Sequence, residues 1–239
     1  MDLRASWDAQ ASQWIAWARK ADHDSYWRFH RDQFLQLLPP PGRRTVDIGC
    51  GEGRLMRDLK MLGHDVVGID ASPSLVAAAR SLDPQTDICL ANAAALPFDR
   101  ASADLAIAFM SLQDIDDMPG AIREIARVLE PKGRFCFAIV HPINSAGHFQ
   151  QRSAEAPFVI EGNYLQPCYR SDAIERDGLA MTFHSQHRPL EAYFRAIEEA
   201  GLVVEALREP AVPEHAITAE HSRRWQRLPL FLHIRARHQ

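Results

Sequence analysis

The chain has 239 residues, of which 46% are hydrophobic and 24% charged, with a net charge of −4. That length carries one domain of ordinary core size, or one domain with an insertion, and the balance is that of a soluble globular protein. The acidic excess gives no global pull toward phosphate backbones or anionic lipid, which disfavours nucleic acid and membrane surfaces as partners.

In chain order, residues 6–38 read as two helices, with Trp7, Ala11, Trp14 and Ala18 at spacings of three or four and Tyr26, Phe34 and Leu37 less strictly spaced. Pro39-Pro40-Pro41-Gly42 stops them. Thr45 to Ile48 is a short β-rich run ending in Gly49-Cys50-Gly51-Glu52-Gly53, and a helix follows to about Leu62, with Gly63 suited to its C-terminal end. Val66 to Asp70 is the second strand. Ser72-Pro73 starts the next helix as N-cap and first helical residue, and that helix runs to about Leu82. Asp87 to Leu90 and Asp104 to Met110 are the third and fourth strands, Pro119 to Leu129 is a helix, and Arg134 to Val140 is the fifth strand. Several strands are almost wholly apolar, as when helices cover both faces, and the alternation predicts a doubly wound parallel sheet.

From 141 to 189 the alternation stops. The stretch holds Pro142, Pro157, Pro167, Pro189 and the histidines 141, 148, 184 and 187. We read it as a pocket-shaping insertion containing a hairpin, Asp172 to His187, that turns at Asp177-Gly178. His184 and His187 would face opposite sides of that hairpin, so no metal site is expected there. Leu190 to Ala200 returns to helix, closed by Gly201, and strands at 202–207 and 230–236 finish the sheet. The organisation expected is an N-terminal helical lid over 1–40 and a catalytic domain over 41–239.

Cys50, Cys89, Cys136 and Cys168 form no Cys-x-x-Cys pair, which fits a reducing compartment rather than a disulfide framework or zinc site. The opening MDLRASWDAQ is not a secretory signal, and no apolar run approaches the roughly 18–20 residues of a membrane span. A cytoplasmic protein, monomer or homodimer, is expected.

The glycine turn carries the chemistry. A strand enters it and a helix leaves it, so a ligand can approach the backbone beside free N–H groups. The dinucleotide pattern Gly-x-Gly-x-x-Gly requires glycine at 54, where this chain has Arg54. Asp47, near the strand's end, would repel a pyrophosphate but attract an ammonium. Asp70, 21 positions after Gly49, can accept from both hydroxyls of an unphosphorylated ribose. Together these point to a nucleoside carrying an amino acid.

Asp47-Ile48-Gly49-Cys50-Gly51-Glu52-Gly53 followed by Gly68-Ile69-Asp70-Ala71-Ser72 resembles the first two motifs of class I S-adenosylmethionine-dependent methyltransferases. Ala91-Asn92-Ala93-Ala94-Ala95-Leu96-Pro97-Phe98 resembles the third, Asp104 to Met110 the fourth strand, and Leu129-Glu130-Pro131-Lys132-Gly133-Arg134 the turn before the fifth. The resemblance covers roughly 45 to 140. It implies a Rossmann-like α/β sheet of seven strands, six parallel and one antiparallel, with S-adenosyl-L-methionine as cofactor and S-adenosyl-L-homocysteine as product. It places Asp47, Gly49, Cys50 and Gly51 along the methionine part, Asp70 at the ribose, Ala71, Asn92 and Ala93 at the adenine, and Met110 under the sulfonium. The family often has Asp where this chain has Asn92, whose carbonyl can still accept.

Candidates beside the cofactor are His141, directly after the fifth strand and titrating near neutrality as a base would, with Asp114 as a second catalytic candidate. Each also has a plainer reading, His141 as a group bonded to its own loop and Asp114 as a helix cap. Gln113, Tyr26 and Tyr164 are candidates for contact with substrate. The expected reaction is methyl transfer to an oxygen or nitrogen of a small-molecule acceptor. An RNA methyltransferase and a non-catalytic binder of the cofactor stay open as alternatives. The first is disfavoured because Met110-Ser111-Leu112-Gln113 stands where amino-methylating nucleic-acid enzymes carry Asn/Asp-Pro-Pro-Tyr/Phe. Arg223, Arg224, Arg227, Arg235 and Arg237 do cluster near the C-terminus.

Overall fold

The computed structural model describes residues 2–239. The N-terminal region forms shorter pieces than its apolar spacing predicts. Helices α1 (Leu3–Ala9) and α2 (Ala11–Arg19) are separated at Gln10, and after the turn at 20–25 come a π-helical turn (Tyr26–His30) and α3 (Arg31–Leu35). Then follow β1 (Thr45–Ile48), α4 (Arg54–Met61), β2 (Val66–Asp70), α5 (Pro73–Leu82), β3 (Ile88–Leu90), β4 (Ala103–Phe109), α6 (Met118–Val128) and β5 (Leu129–Val140). Ser72 caps α5 as the sequence implies, its hydroxyl accepting from the Leu75 N–H at 3.1 Å with Pro73 at the first helical position. Strand β5 starts earlier than Arg134, and its pairing with β4 shifts register between Ala103 and Leu105.

The segment after β5 holds the short α7 (Pro142–Ser145), β6 (Gly147–Phe149) paired with β7 (Phe158–Ile160), and the hairpin β8 (Cys168–Arg176) with β9 (Leu179–His187). The hairpin turns at Asp177 (φ +51) and Gly178 (φ +78), a pair of left-handed residues that matches the twist of the flanking strands. Helix α8 (Leu190–Glu199), β10 (Leu202–Arg208) and β11 (Phe231–His238) complete the chain.

The sheet order is β10-β11-β5-β4-β1-β2-β3. Strand β11 runs antiparallel to both neighbours, and the other six are parallel. One apolar cluster packs α6, α8 and the 93–96 segment on one face of the sheet, and a second packs α3 and α4 on the other. Gly68 permits the second. A Cβ there would lie 2.4 Å from the Met56 sulfur and 2.7 Å from that of Cys50. The strand order reverses between β1 and β4, so the crevice beyond their carboxyl ends is the ligand position of such a sheet. No helix among the described residues is long and apolar enough to cross a membrane.

Candidate functional site

At the end of β1 the backbone turns through Gly49 (φ +70), Gly51 (φ +60) and Gly53 (φ +83). A side chain at Gly49 would meet Ser111, whose Cβ lies 2.4 Å from the position a Cβ would take and whose hydroxyl donates to the Ile48 carbonyl at 2.6 Å. The Gly49 and Cys50 N–H groups both donate to the Ile69 carbonyl, at 2.7 and 3.0 Å. The Gly51 N–H donates to Asp70 Oδ2 at 2.7 Å, and the Ser72 N–H to Asp70 Oδ1 at 2.9 Å. The turn is thus fastened to the end of β2. Each Asp70 oxygen keeps a lone pair for a ligand. Burial raises the Asp70 carboxyl, and those backbone donors oppose the rise.

Asp47 is buried, and its Oδ2 has no hydrogen-bond partner. Burial, reinforced by the charge of Asp70, pushes its carboxyl up to about 7. An unpartnered buried carboxylate is costly, and an ammonium beside it removes that cost. Burial pushes the Cys50 thiol well up, so it serves as a neutral wall. Asp47, Gly49, Cys50, Gly51, Asp70 and Ala71 all face one cavity of about 780 Å³, and so do Asn92, Ala93 and Met110. Asn92 Oδ1 already accepts from the Ala94 N–H at 2.9 Å, which leaves one lone pair and the amide group for a ligand. Met110 holds a left-handed backbone (φ +59), unusual for this residue type and found at sites that orient a ligand. Its N–H donates to the Ala138 carbonyl at 2.8 Å, and its carbonyl accepts from Gln113 Nε2 at 2.6 Å.

Among the acceptor-side candidates, Tyr26, Gln113 and Asp114 line the cavity. Tyr26 presents its ring rather than its hydroxyl, which donates to Asp58 Oδ2 at 2.5 Å. Gln113 Oε1 is buried and unpartnered. Burial pushes the Asp114 carboxyl well up against the opposing charge of Arg188, favouring the protonated acid, a donor rather than a base. His141 and Tyr164 are not brought to this cavity. His141 caps α7, its Nδ1 accepting from the Ile143 N–H at 3.1 Å while Nε2 lies 2.9 Å from Glu209 Oε1. Both ring nitrogens are engaged, and burial pulls the ring's pKa down. The expected base is a loop-capping group here. The Tyr164 hydroxyl accepts from the Leu190 N–H at 3.1 Å, so that ring anchors the start of α8.

The roof comes from both flanking segments. Trp7, Trp14 and Trp17 surround Phe183 of β9 at ring distances of 6.4, 6.2 and 5.7 Å, and Trp7 Nε1 donates to the His184 carbonyl at 2.9 Å. Ion pairs join roof to floor, Arg19–Glu52 at 2.9 Å and Asp24–Arg54 at 2.8 Å. Asp8 Oδ1 accepts from the Ser72 hydroxyl at 2.5 Å. Sequence reasoning missed three groups. Arg188 donates to the Leu112, Ile115 and Asp116 carbonyls and holds the loop that carries Gln113 and Asp114. His30 faces the cavity with Nε2 2.9 Å from His233 Nε2. The available signal was the four-residue spacing of Tyr26, His30 and Phe34.

Residues 46–137 match the family model described as a methyltransferase domain. An uncharacterized methyltransferase of Mycobacterium tuberculosis (strain H37Rv) is 39% identical over 98 residues, 41% of this chain and 40% of that protein. An O-methyltransferase of Aspergillus sclerotiorum is 35% identical over 118 residues, 46% of this chain and 45% of that protein. The matches thus span less than half the length of these relatives. The crystal structure of an S-adenosylmethionine-dependent methyltransferase from Mesorhizobium loti aligns with a TM-score of 0.71 at 27% identity, over 90% of this chain and 99% of that one. The matched region begins within β1, just before the glycine turn, and ends within β5, so likeness to methyltransferase domains is densest where the cavity floor is built.

Proposed function

We propose that the chain transfers the methyl group of S-adenosylmethionine to an oxygen or nitrogen of a small-molecule acceptor. The observation that carries the cofactor assignment is the unpartnered, buried Asp47 carboxylate beside a fixed Asp70, the acceptor set for an amino acid joined to an unphosphorylated ribose. The sulfonium supplies a methyl group already activated for in-line displacement, so the protein's contribution is alignment and exclusion of water. Asp47 holds the ammonium, Asp70 the ribose hydroxyls, Ala71, Asn92 and Ala93 the adenine, and Met110 the sulfonium end. The helices of residues 1–40 act as a lid together with the hairpin of the 141–189 insertion.

A small acceptor suits the roofed cavity better than RNA does. Several of the C-terminal arginines are engaged in the protein. Arg223 pairs with Glu214 and Glu220, Arg235 and Arg237 share Glu205, and Arg224 and Arg227 donate to backbone carbonyls. Calorimetric titration with S-adenosylmethionine, S-adenosylhomocysteine and NAD in parallel tests the assignment. Binding of the first two without the third supports it, and binding of NAD alone overturns it.

A further inference from the structure

We infer that the acceptor subsite takes a neutral, flat aromatic alcohol, a phenol, with His30 as the group that receives its proton; the inference rests on the methyl-transfer reading above. Beyond Met110 the cavity is walled by Phe29, Val212, Ala216, Trp225, Leu230 and Phe231. Met110 packs against this cluster and also against the one that joins α3 and α4 to the sheet, so the wall begins where the sulfonium end is placed. A charged acceptor would lose its hydration there without replacement. Aromatic walls favour a flat ring through offset and edge contacts.

His30 is a buried polar group in that wall, and Thr218 and Ser222 line the same cavity from the segment that carries Ala216 and Trp225. His30 sits on the π-helical turn, in which the Arg31 N–H reaches back to the Tyr26 carbonyl, a local widening that recurs at functional sites. Its ring stacks on Phe231 at 3.6 Å with 5° between planes, so its direction is set. Its Nε2 shares one proton with His233 Nε2 at 2.9 Å, which leaves Nδ1 as the ring nitrogen for a ligand. Burial holds both rings toward the neutral form. When His30 donates from Nε2, its Nδ1 is a bare lone pair.

The chemistry then selects the acceptor. An amine arrives neutral and asks nothing of a base. An aliphatic hydroxyl, nearly as weak an acid as water, stays beyond a neutral imidazole, whereas a phenol at about 10 comes within reach as its oxygen begins to bond to carbon. In the step, the phenolic oxygen bonds to the methyl carbon and the carbon–sulfur pair goes to sulfur. The phenolic proton goes to His30 Nδ1. One positive charge is present before and after, moved from sulfonium to imidazolium, where the shared proton spreads it toward His233.

The test uses the full chain saturated with S-adenosylhomocysteine and the fluorescent probe 2-naphthol, compared with 2-methoxynaphthalene, decahydro-2-naphthol and naphthalene-2-carboxylate. We expect 2-naphthol to bind about tenfold more tightly than any of the three, the worth of one hydrogen bond to an otherwise unpaired nitrogen. His30→Phe should erase the preference for 2-naphthol over its methyl ether and leave affinity for S-adenosylhomocysteine unchanged. Trp225→Ala, at a half-exposed position, should weaken 2-naphthol without touching the cofactor, and it keeps the test open if the His30 variant does not fold. Cofactor binding with no preference for 2-naphthol overturns this inference alone, as does an unchanged preference in His30→Phe. No binding of S-adenosylhomocysteine overturns the methyl-transfer reading and this one together.

Discussion

The floor of the cavity and its roof are built from different kinds of contact. On the floor the ties are shorter in the chain: Asp70 is fixed by N–H groups two and nineteen positions away, and the Ser111 hydroxyl reaches the Ile48 carbonyl across 63. In the roof the contacts span most of the molecule. Trp7 reaches a carbonyl 177 residues away, and His30 meets His233 across 203. A floor of this kind forms with its strand–turn–helix units, whereas the roof exists only after the chain ends have been brought together, at the entropic cost of long loop closure. The region matched by the family model, residues 46–137, contains the floor and leaves the tryptophans and the hairpin of the roof outside it.

The sharpest way to break this contrast is Asp70→Ala, which removes the proposed ribose acceptor and unfastens the Gly51 and Ser72 N–H groups together. Loss of two charge-assisted hydrogen bonds should weaken S-adenosylhomocysteine by about 100-fold or more in calorimetry. Undiminished affinity would remove Asp70 from the floor. Asp47→Asn comes next, with a loss of about 30-fold from discarding one charge beside an ammonium. It also carries a pH signature. The wild-type carboxyl titrates at about 7 in the free pocket, and the ammonium needs it ionised, so affinity should rise with pH up to about 7 and then level; the Asn variant should lack that rise. The same group makes the ligand-free protein lose stability as pH climbs from about 4 toward 7, because the folded state holds this proton more tightly than the unfolded chain, whose carboxyl keeps its ordinary value of 3.8.

The roof should respond in stability and protection rather than chemistry. Phe183→Ala empties the centre of three tryptophan rings and should cost about 2 kcal/mol, a half-buried share of a full aromatic deletion. Trypsin should then cut faster at Arg19 or Lys20, which are exposed beside the hairpin tip; equal cutting rates would show that the aromatic cluster does not hold the lid. The smallest effect is expected for His141→Ala. It removes the cap of α7 and should lower stability by about 1 kcal/mol in thermal unfolding, with S-adenosylhomocysteine affinity unchanged. A loss of cofactor affinity instead would return His141 to the site.

What the amino-acid order determined by itself is the sheet and its floor. The turn at Gly49–Gly53, the Ser72-Pro73 start of α5 and the Asp177-Gly178 turn are legible because each follows from a local backbone requirement, whereas the antiparallel last strand is implied only by the resemblance to a family. Asp47 and Asp70 are legible from their places near the carboxyl ends of β1 and β2, beside the crevice of a doubly wound sheet. The tertiary structure alone decided which groups meet over that floor. It turned His141 and Tyr164 aside to hold loops, divided the N-terminal helices at Gln10, and brought His30 from a π-helical turn onto a histidine of the last strand. Local periodicity says which face of an element is apolar, and the partner on that face is chosen by packing between segments that sequence spacing does not relate.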